Sequence, residues 1–68
     1  MYRNLMAEMA RAGILYKEMA EKLGIRESTY SFKVNGKVEW KLKEMLAVQK
    51  VLNEKLGTCY TLDYLFKV

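Results

Sequence analysis

The chain has no histidine and no proline, and only one cysteine, one tryptophan and four glycines among its 68 residues. Each scarcity excludes something. Without histidine the commonest general base and metal ligand is missing, so no catalytic residue and no metal ligand is expected. Cys59 has no imidazole to activate it, and a single cysteine neither closes an internal disulfide nor builds a zinc site. A lone thiol suits a reducing compartment, and the expected location is the cytoplasm. Wholly apolar runs stop after a few residues, far short of the about 20 that span a bilayer, so no membrane partner is expected. No basic-then-apolar leader opens the chain, which argues against secretion. No glycine-rich phosphate loop is present, and neither a cofactor nor a small-molecule ligand is expected. The lack of proline and of low-complexity stretches leaves no sign of a linker or a disordered tail.

What remains is a compact allotment. Sixty-eight residues make one domain, residues 1–68, near the lower limit for a core that holds together unaided, and a hydrophobic fraction of 51% is ample for it. The net charge of +4 is uneven. Residues 26 to 43 hold Arg26, Lys33, Lys37, Lys41 and Lys43 against Glu27 and Glu39, whereas the rest of the chain carries seven bases and six acids. Such a local excess suits a polyanion, although a solvated basic surface gives the same pattern. Glu18 and Glu21 read as solvated carboxylates on a helix surface.

Periodicity reads as helix throughout. Tyr2, Leu5, Met6, Met9 and Ala10 recur at a spacing near 3.6 up to Gly13, predicting a helix over about 2–12. Leu42, Met45, Leu46, Gln49, Leu52, Asn53 and Leu56 form one stripe of a longer helix over about 42–56, ended by Gly57. Thr61 is an N-cap for a short last helix over 62–66. Between them, Met19 and Leu23 share a helical face, and Ala20 is small where a second helix must pass close by. Gly24 supplies a left-handed stop. Ile25, Tyr30 and Val34 then restart the apolar pattern for a polar helix over about 27–34. Two short helices folded across one sharp turn form a unit that many small proteins use to place a helix in DNA.

The three middle helices share a starting device. An apolar residue before each cap pairs with one inside the first turn: Ile14 with Met19, Ile25 with Tyr30, Trp40 with Met45. Glu18 and Glu44 fall at the third helical position, where a carboxylate favours the positive helix end. The cap positions themselves hold Leu15, Arg26 and Lys41, which cannot accept a backbone bond, at a cost of about 1 kcal/mol each. Burial of a staple side chain, about 1.5–3 kcal/mol, offsets much of this.

The run Gly13-Ile14, Met19-Ala20-Glu21-Lys22-Leu23-Gly24-Ile25, Ser28-Thr29-Tyr30-Ser31, Asn35-Gly36-Lys37 and Leu62-Asp63-Tyr64-Leu65-Phe66 resembles the lambda-repressor/Cro-like family of helix-turn-helix regulators, in the order and spacing of its small phage-type members. The resemblance covers nearly the whole chain, and Met1 together with the family-like ending is expected to bound a complete protein. It implies an all-α, compact five-helix bundle containing a helix-turn-helix. The chain departs from the family at Leu15, where Thr or Ser is usual, at Tyr16, where Gln is usual, and at Arg26, where Ser is usual. Lys33 stands where many members carry an apolar residue, a role that Val34 takes over in a subset.

With Tyr30 and Val34 turned inward, the third helix exposes Glu27, Ser28, Ser31 and Phe32 as candidate base contacts. Glu27 can accept from cytosine N4, the serines can donate or accept, and the Phe32 ring can meet a thymine methyl. Glu27 has an alternative in compensating the helix dipole, and Phe32 has one as a core residue of a shifted helix. Backbone contacts are expected from Tyr16, Arg26, Thr29, Lys33, Asn35, Lys37, Lys41 and Lys43, which position rather than read. Asn35 and Gly36 serve equally well simply to end the helix.

One short helix discriminates too few bases alone, so double-stranded DNA is expected to be bound by a homodimer. Ala47, Val48 and Val51 form a second apolar strip on the long helix, and Tyr60, Tyr64 and Val68 add to it, so pairing is expected through residues around 47 to 68, unless these residues only finish the core of a monomer. The expected function is that of a sequence-specific transcriptional regulator, a repressor of the phage or prophage type. The alternative is a protein-binding module on the same fold, antitoxin-like or an anti-regulator, with Phe32 and the Met-rich helices as its adhesive face.

Overall fold

The computed structural model describes residues 1–68 as five helices and no strand: α1 (Arg3–Ala12), α2 (Tyr16–Leu23), α3 (Glu27–Val34), α4 (Leu42–Leu56) and α5 (Leu62–Leu65). The body measures 27 × 23 × 20 Å. No helix is long and apolar enough to cross a membrane.

Each helix contributes the face that its spacing dictates. Leu5, Met9 and Ala12 of α1, Met19 and Ala20 of α2, Tyr30 and Val34 of α3, Val48 and Leu52 of α4, and Leu65 with Phe66 at the C-terminal end form a single buried core. Ile14, Ile25, Trp40 and Met45 pack against it half-buried, as the staple pattern requires. The three middle helices have no side-chain cap bond. Instead, Glu18 accepts from the Leu15 N–H at 3.0 Å and Glu44 from the Lys41 N–H at 2.9 Å. Only the carboxylate half of a capping box is made, because leucine and lysine side chains have no acceptor for the other half. Thr61 does cap α5, accepting from the Tyr64 N–H at 3.1 Å.

The turn between α2 and α3 depends on Gly24. Its φ of +72° lies in the left-handed region, and this lets the Ile25 N–H reach back to the Ala20 carbonyl at 3.0 Å. Two short helices are thereby folded sharply across one another.

The long helix corrects the expected stripe. Val48, placed on an outward strip, is fully buried, whereas Leu42 and Leu46, placed on the core stripe, are 64% and 47% exposed. The core-facing arc keeps Met45, Leu52 and Leu56 from the expected stripe but is rotated away from Leu42 and Leu46 toward Glu44 and Val48. Ala47 and Val51 are half-buried. Gln49 and Asn53 do turn inward in part, but as polar anchors. Asn53 Oδ1 accepts from the Tyr60 N–H and the Thr58 hydroxyl, both at 2.8 Å, while Gln49 and Asn53 amides both donate to the Tyr60 carbonyl. These bonds satisfy the backbone of the turn after Gly57 and aim α5 back at α1.

An aromatic cluster closes the opposite end. Trp40 meets Phe66, Tyr30 and Tyr2 edge-on at centroid distances of 4.9, 5.7 and 6.3 Å. The α3–α4 connection is thus packed against both ends of the chain, and the Tyr2 N–H donates to the Val34 carbonyl at 3.1 Å. The position of α3 is therefore held from below by Tyr30, from the side by α2 and at its end by Tyr2.

Candidate nucleic-acid interface

The outward face of α3 follows from its inward one. Tyr30 and Val34 are fully buried, so residues about half a helical turn away must face solvent. Glu27 and Ser28 are exposed, Ser31 is half-buried and Phe32 is 48% exposed. These four lie on one arc of the helix, and Asn35 continues it. Phe32 is therefore no core residue of a shifted helix; it is an aromatic ring held at the surface of a polar segment. Glu27 occupies the first turn of α3.

The flanking candidates divide. Arg26 is exposed at the cap position of α3, and Lys37, Lys41 and Lys43 are exposed along the following segment. Thr29 is half-buried. Tyr16 is half-buried with its ring edge-on to Tyr30 at 5.2 Å, and burial raises the pKa of its hydroxyl, so it stays a neutral donor. Asn35 is exposed, but its side-chain amide donates to the Ser31 carbonyl at 2.9 Å. It ends the helix, the structural alternative noted for it, and in this arrangement its amide is engaged.

Lys33 is the correction. It was expected on the DNA backbone, yet it is 4% exposed and points into the protein. Its ammonium forms an ion pair with Glu44 at 3.0 Å, donates to the Glu39 carbonyl at 2.8 Å and lies over the Trp40 ring. Position 33 falls three residues after Tyr30 and one before Val34, inside the inward arc, and that arc overrides the preference of a lysine for solvent. Burial pushes the Glu44 carboxyl up, but the Lys41 N–H and the Lys33 ammonium outweigh it and hold the group below its ordinary value. Glu44 thus starts α4 and neutralises a cation of α3 with one side chain.

A second buried carboxylate went unread in the sequence. Glu8 lies beside Leu5 and Met9 on the buried face of α1, accepts from the Tyr64 hydroxyl at 2.7 Å and pairs with Arg11 at 3.2 Å. Burial raises its pKa, while the Tyr64 hydrogen bond, the nearby Tyr60 hydroxyl and the Arg11 charge reverse the shift and leave it lowered. The available signal was its position three residues after Leu5, within the apolar stripe.

The open clefts of the molecule lie elsewhere. One is lined by Met1, Arg3, Asn4, Lys67 and Val68, and the other lies between α2 and α4 around Ile14 and Val51. The candidate surface is an exposed helix face accompanied by four exposed cations, and neither open cleft lies on it. No protein-family model, curated protein or solved structure matches the chain.

Proposed function

We propose that the chain is a sequence-specific DNA-binding regulator of the small phage-repressor type, in which α2 and α3 act as a helix-turn-helix and α3 enters the major groove. The observation that carries this reading is the outward face of α3. A short helix anchored by fully buried Tyr30 and Val34 presents Glu27, Ser28, Ser31 and Phe32 away from the core. Arg26, Lys37, Lys41 and Lys43 supply cations for the flanking phosphates.

The test is selection of duplexes from a random pool, followed by fluorescence anisotropy at 50 and 200 mM salt. Several phosphate contacts should weaken binding by at least tenfold across that interval. Ser28→Ala and Phe32→Ala should each cost about 1–3 kcal/mol on the selected site and far less on unrelated duplex. Failure to enrich any sequence, or indifference of binding to both substitutions, would refute the assignment.

The reading includes a homodimer. With Val48 in the core, the well-exposed large apolar residues in the 47–68 span are Tyr64 and Val68, and Leu42 and Leu46 precede them on the outer side of α4. Sedimentation at micromolar concentration should give twice the 8.0 kDa chain mass on DNA; a single copy bound per site would remove pairing from the proposal. Exposed Leu15, Leu42 and Leu46 favour one competitor, a protein-binding module on the same scaffold. Binding to a protein partner that survives 200 mM salt, without any selected DNA, would establish that competitor instead.

A further inference from the structure

The Lys33–Glu44 pair has a placement that no stability argument requires. A buried ion pair contributes little over apolar residues of similar volume, while its geometry is directional. Here the directions are informative. Lys33 belongs to the penultimate position of α3, Glu44 to the first turn of α4, and Glu39 to the connection between them. The Lys33 ammonium holds the Glu44 carboxylate at 3.0 Å and the Glu39 carbonyl at 2.8 Å. The same Glu44 oxygen accepts from the Lys41 N–H at 2.9 Å. Trp40, between those two backbone groups, lies under the ammonium at 5.9 Å. One cation therefore holds Glu39, Trp40 and Glu44 from the inner side of α3, and Glu44 in turn holds Lys41. The backbone at the other end of the connection is fixed separately, by the Lys37 N–H on the Phe32 carbonyl at 2.8 Å.

We infer that Lys33 and Glu44 form an internal clasp whose role is to set the path of the 37–43 segment relative to α3, making them positioning residues for the exposed Lys37, Lys41 and Lys43. This rests on the DNA-binding reading for its purpose and on the geometry alone for the clasp. Phosphate contacts fix the register of a helix in a groove. If the connection carrying Lys37 and Lys41 up to Lys43 in the first turn of α4 were free, it would have to be ordered on binding, at an entropic cost that an already fixed segment avoids.

The decisive variant is the double substitution Lys33→Met with Glu44→Leu, which replaces the pair by apolar groups and leaves every exposed lysine in place. Lys33→Met alone would strand Glu44 in the core and is expected to unfold the domain, so it is not diagnostic. Glu44→Gln serves as the second probe, since its amide oxygen still accepts from the Lys41 N–H while the charge facing Lys33 is gone. Backbone 15N relaxation on the free protein reads the clasp without DNA. In the double variant, order parameters of residues 37–41 should fall to below about 0.6, with those of α1 and α2 unchanged near 0.85. Glu44→Gln should give a smaller drop over the same residues. On the selected duplex, affinity should fall about tenfold at fixed salt, and the salt dependence should flatten by one to two phosphate contacts. Unchanged order over 37–41 in the folded double variant would overturn the clasp. Increased mobility with unaltered affinity and salt dependence would overturn its positioning role. If the unsubstituted protein binds no duplex, the regulatory reading fails, while the relaxation measurement still decides whether the clasp exists.

Discussion

At the residue scale, the informative side chains are polar groups placed where apolar ones would do. Tyr30 sits fully buried at the centre of the core, edge-on to Tyr16 and Trp40, and its hydroxyl donates to the Met9 sulfur. Phenylalanine would fill nearly the same volume, so the hydroxyl contributes only the net worth of one hydrogen bond. Tyr30→Phe should lower stability by about 0.5–1.5 kcal/mol in chemical denaturation, and a loss beyond that would show a second role for the oxygen. Burial, reinforced by the neighbouring Tyr16, pushes the Tyr30 pKa far above its ordinary value of 10.0. The folded state therefore holds the proton more tightly than the unfolded state. Its stabilising contribution is complete below pH 10 and is lost as pH rises beyond it. An alkaline titration followed by tyrosinate absorbance should show Tyr30 ionising only in step with loss of helical circular dichroism. A fully native spectrum with all five tyrosines ionised would contradict this placement.

At the scale of elements, the helices start poorly and stop well. Leu15, at the cap of α2, is 66% exposed and its side chain accepts nothing. Leu15→Thr sacrifices little burial and supplies an acceptor for the free N–H groups of the first turn, so it should stabilise the domain by about 0.5–2 kcal/mol. In a domain of this size about 1 kcal/mol moves the melting temperature by about 4–8 °C, which thermal circular dichroism resolves. Gly24→Ala should act in the opposite direction. No atom crowds the position, but its φ of +72° penalises any Cβ, at about 1–2 kcal/mol. These starts and stops were legible in the sequence, because glycine stops, staples and third-position glutamates are local signals that fix ends whatever packs against them. The outward arc of α3 was legible for the same reason, once Tyr30 and Val34 were assigned inward. The rotation of α4 was not. Leu42, Leu46 and Val48 are all apolar, and choosing which of them turns inward requires knowing where α1 and α5 lie. Lys33 was misread, and the burial of Glu8 and the ion pair of Glu44 were missed, because each is paired with a group outside its own helix, and a single helical stripe carries no record of that partner.

At the scale of the whole molecule, two buried carboxylates join the bundle at different seams. Glu8 ties α1 to α5 through Tyr64, and Glu44 ties α4 to α3 through Lys33. Both are held below the ordinary value of 4.5 despite burial. The sign follows directly. Unfolding releases each carboxylate to a higher pKa, so the unfolded chain takes up protons first as pH falls. The stabilisation is complete above the unfolded value near 4.5, declines as pH drops through it, and is gone once pH passes below the folded values. Melting temperature should therefore be nearly level from pH 8 down to about pH 5.5 and fall steeply below about pH 4.5. Substitution separates the seams. Tyr64→Phe removes the phenol that donates to Glu8 and leaves the Lys33–Glu44 pair intact, so the acid-side fall should become shallower without disappearing. Adding Lys33→Met with Glu44→Leu to that variant should flatten the fall further, because Glu44 is then gone and only Tyr60 and Arg11 still favour the charged form of Glu8. An acid-side slope identical in all three proteins would mean that exposed carboxylates, rather than the two seams, control how this bundle comes apart.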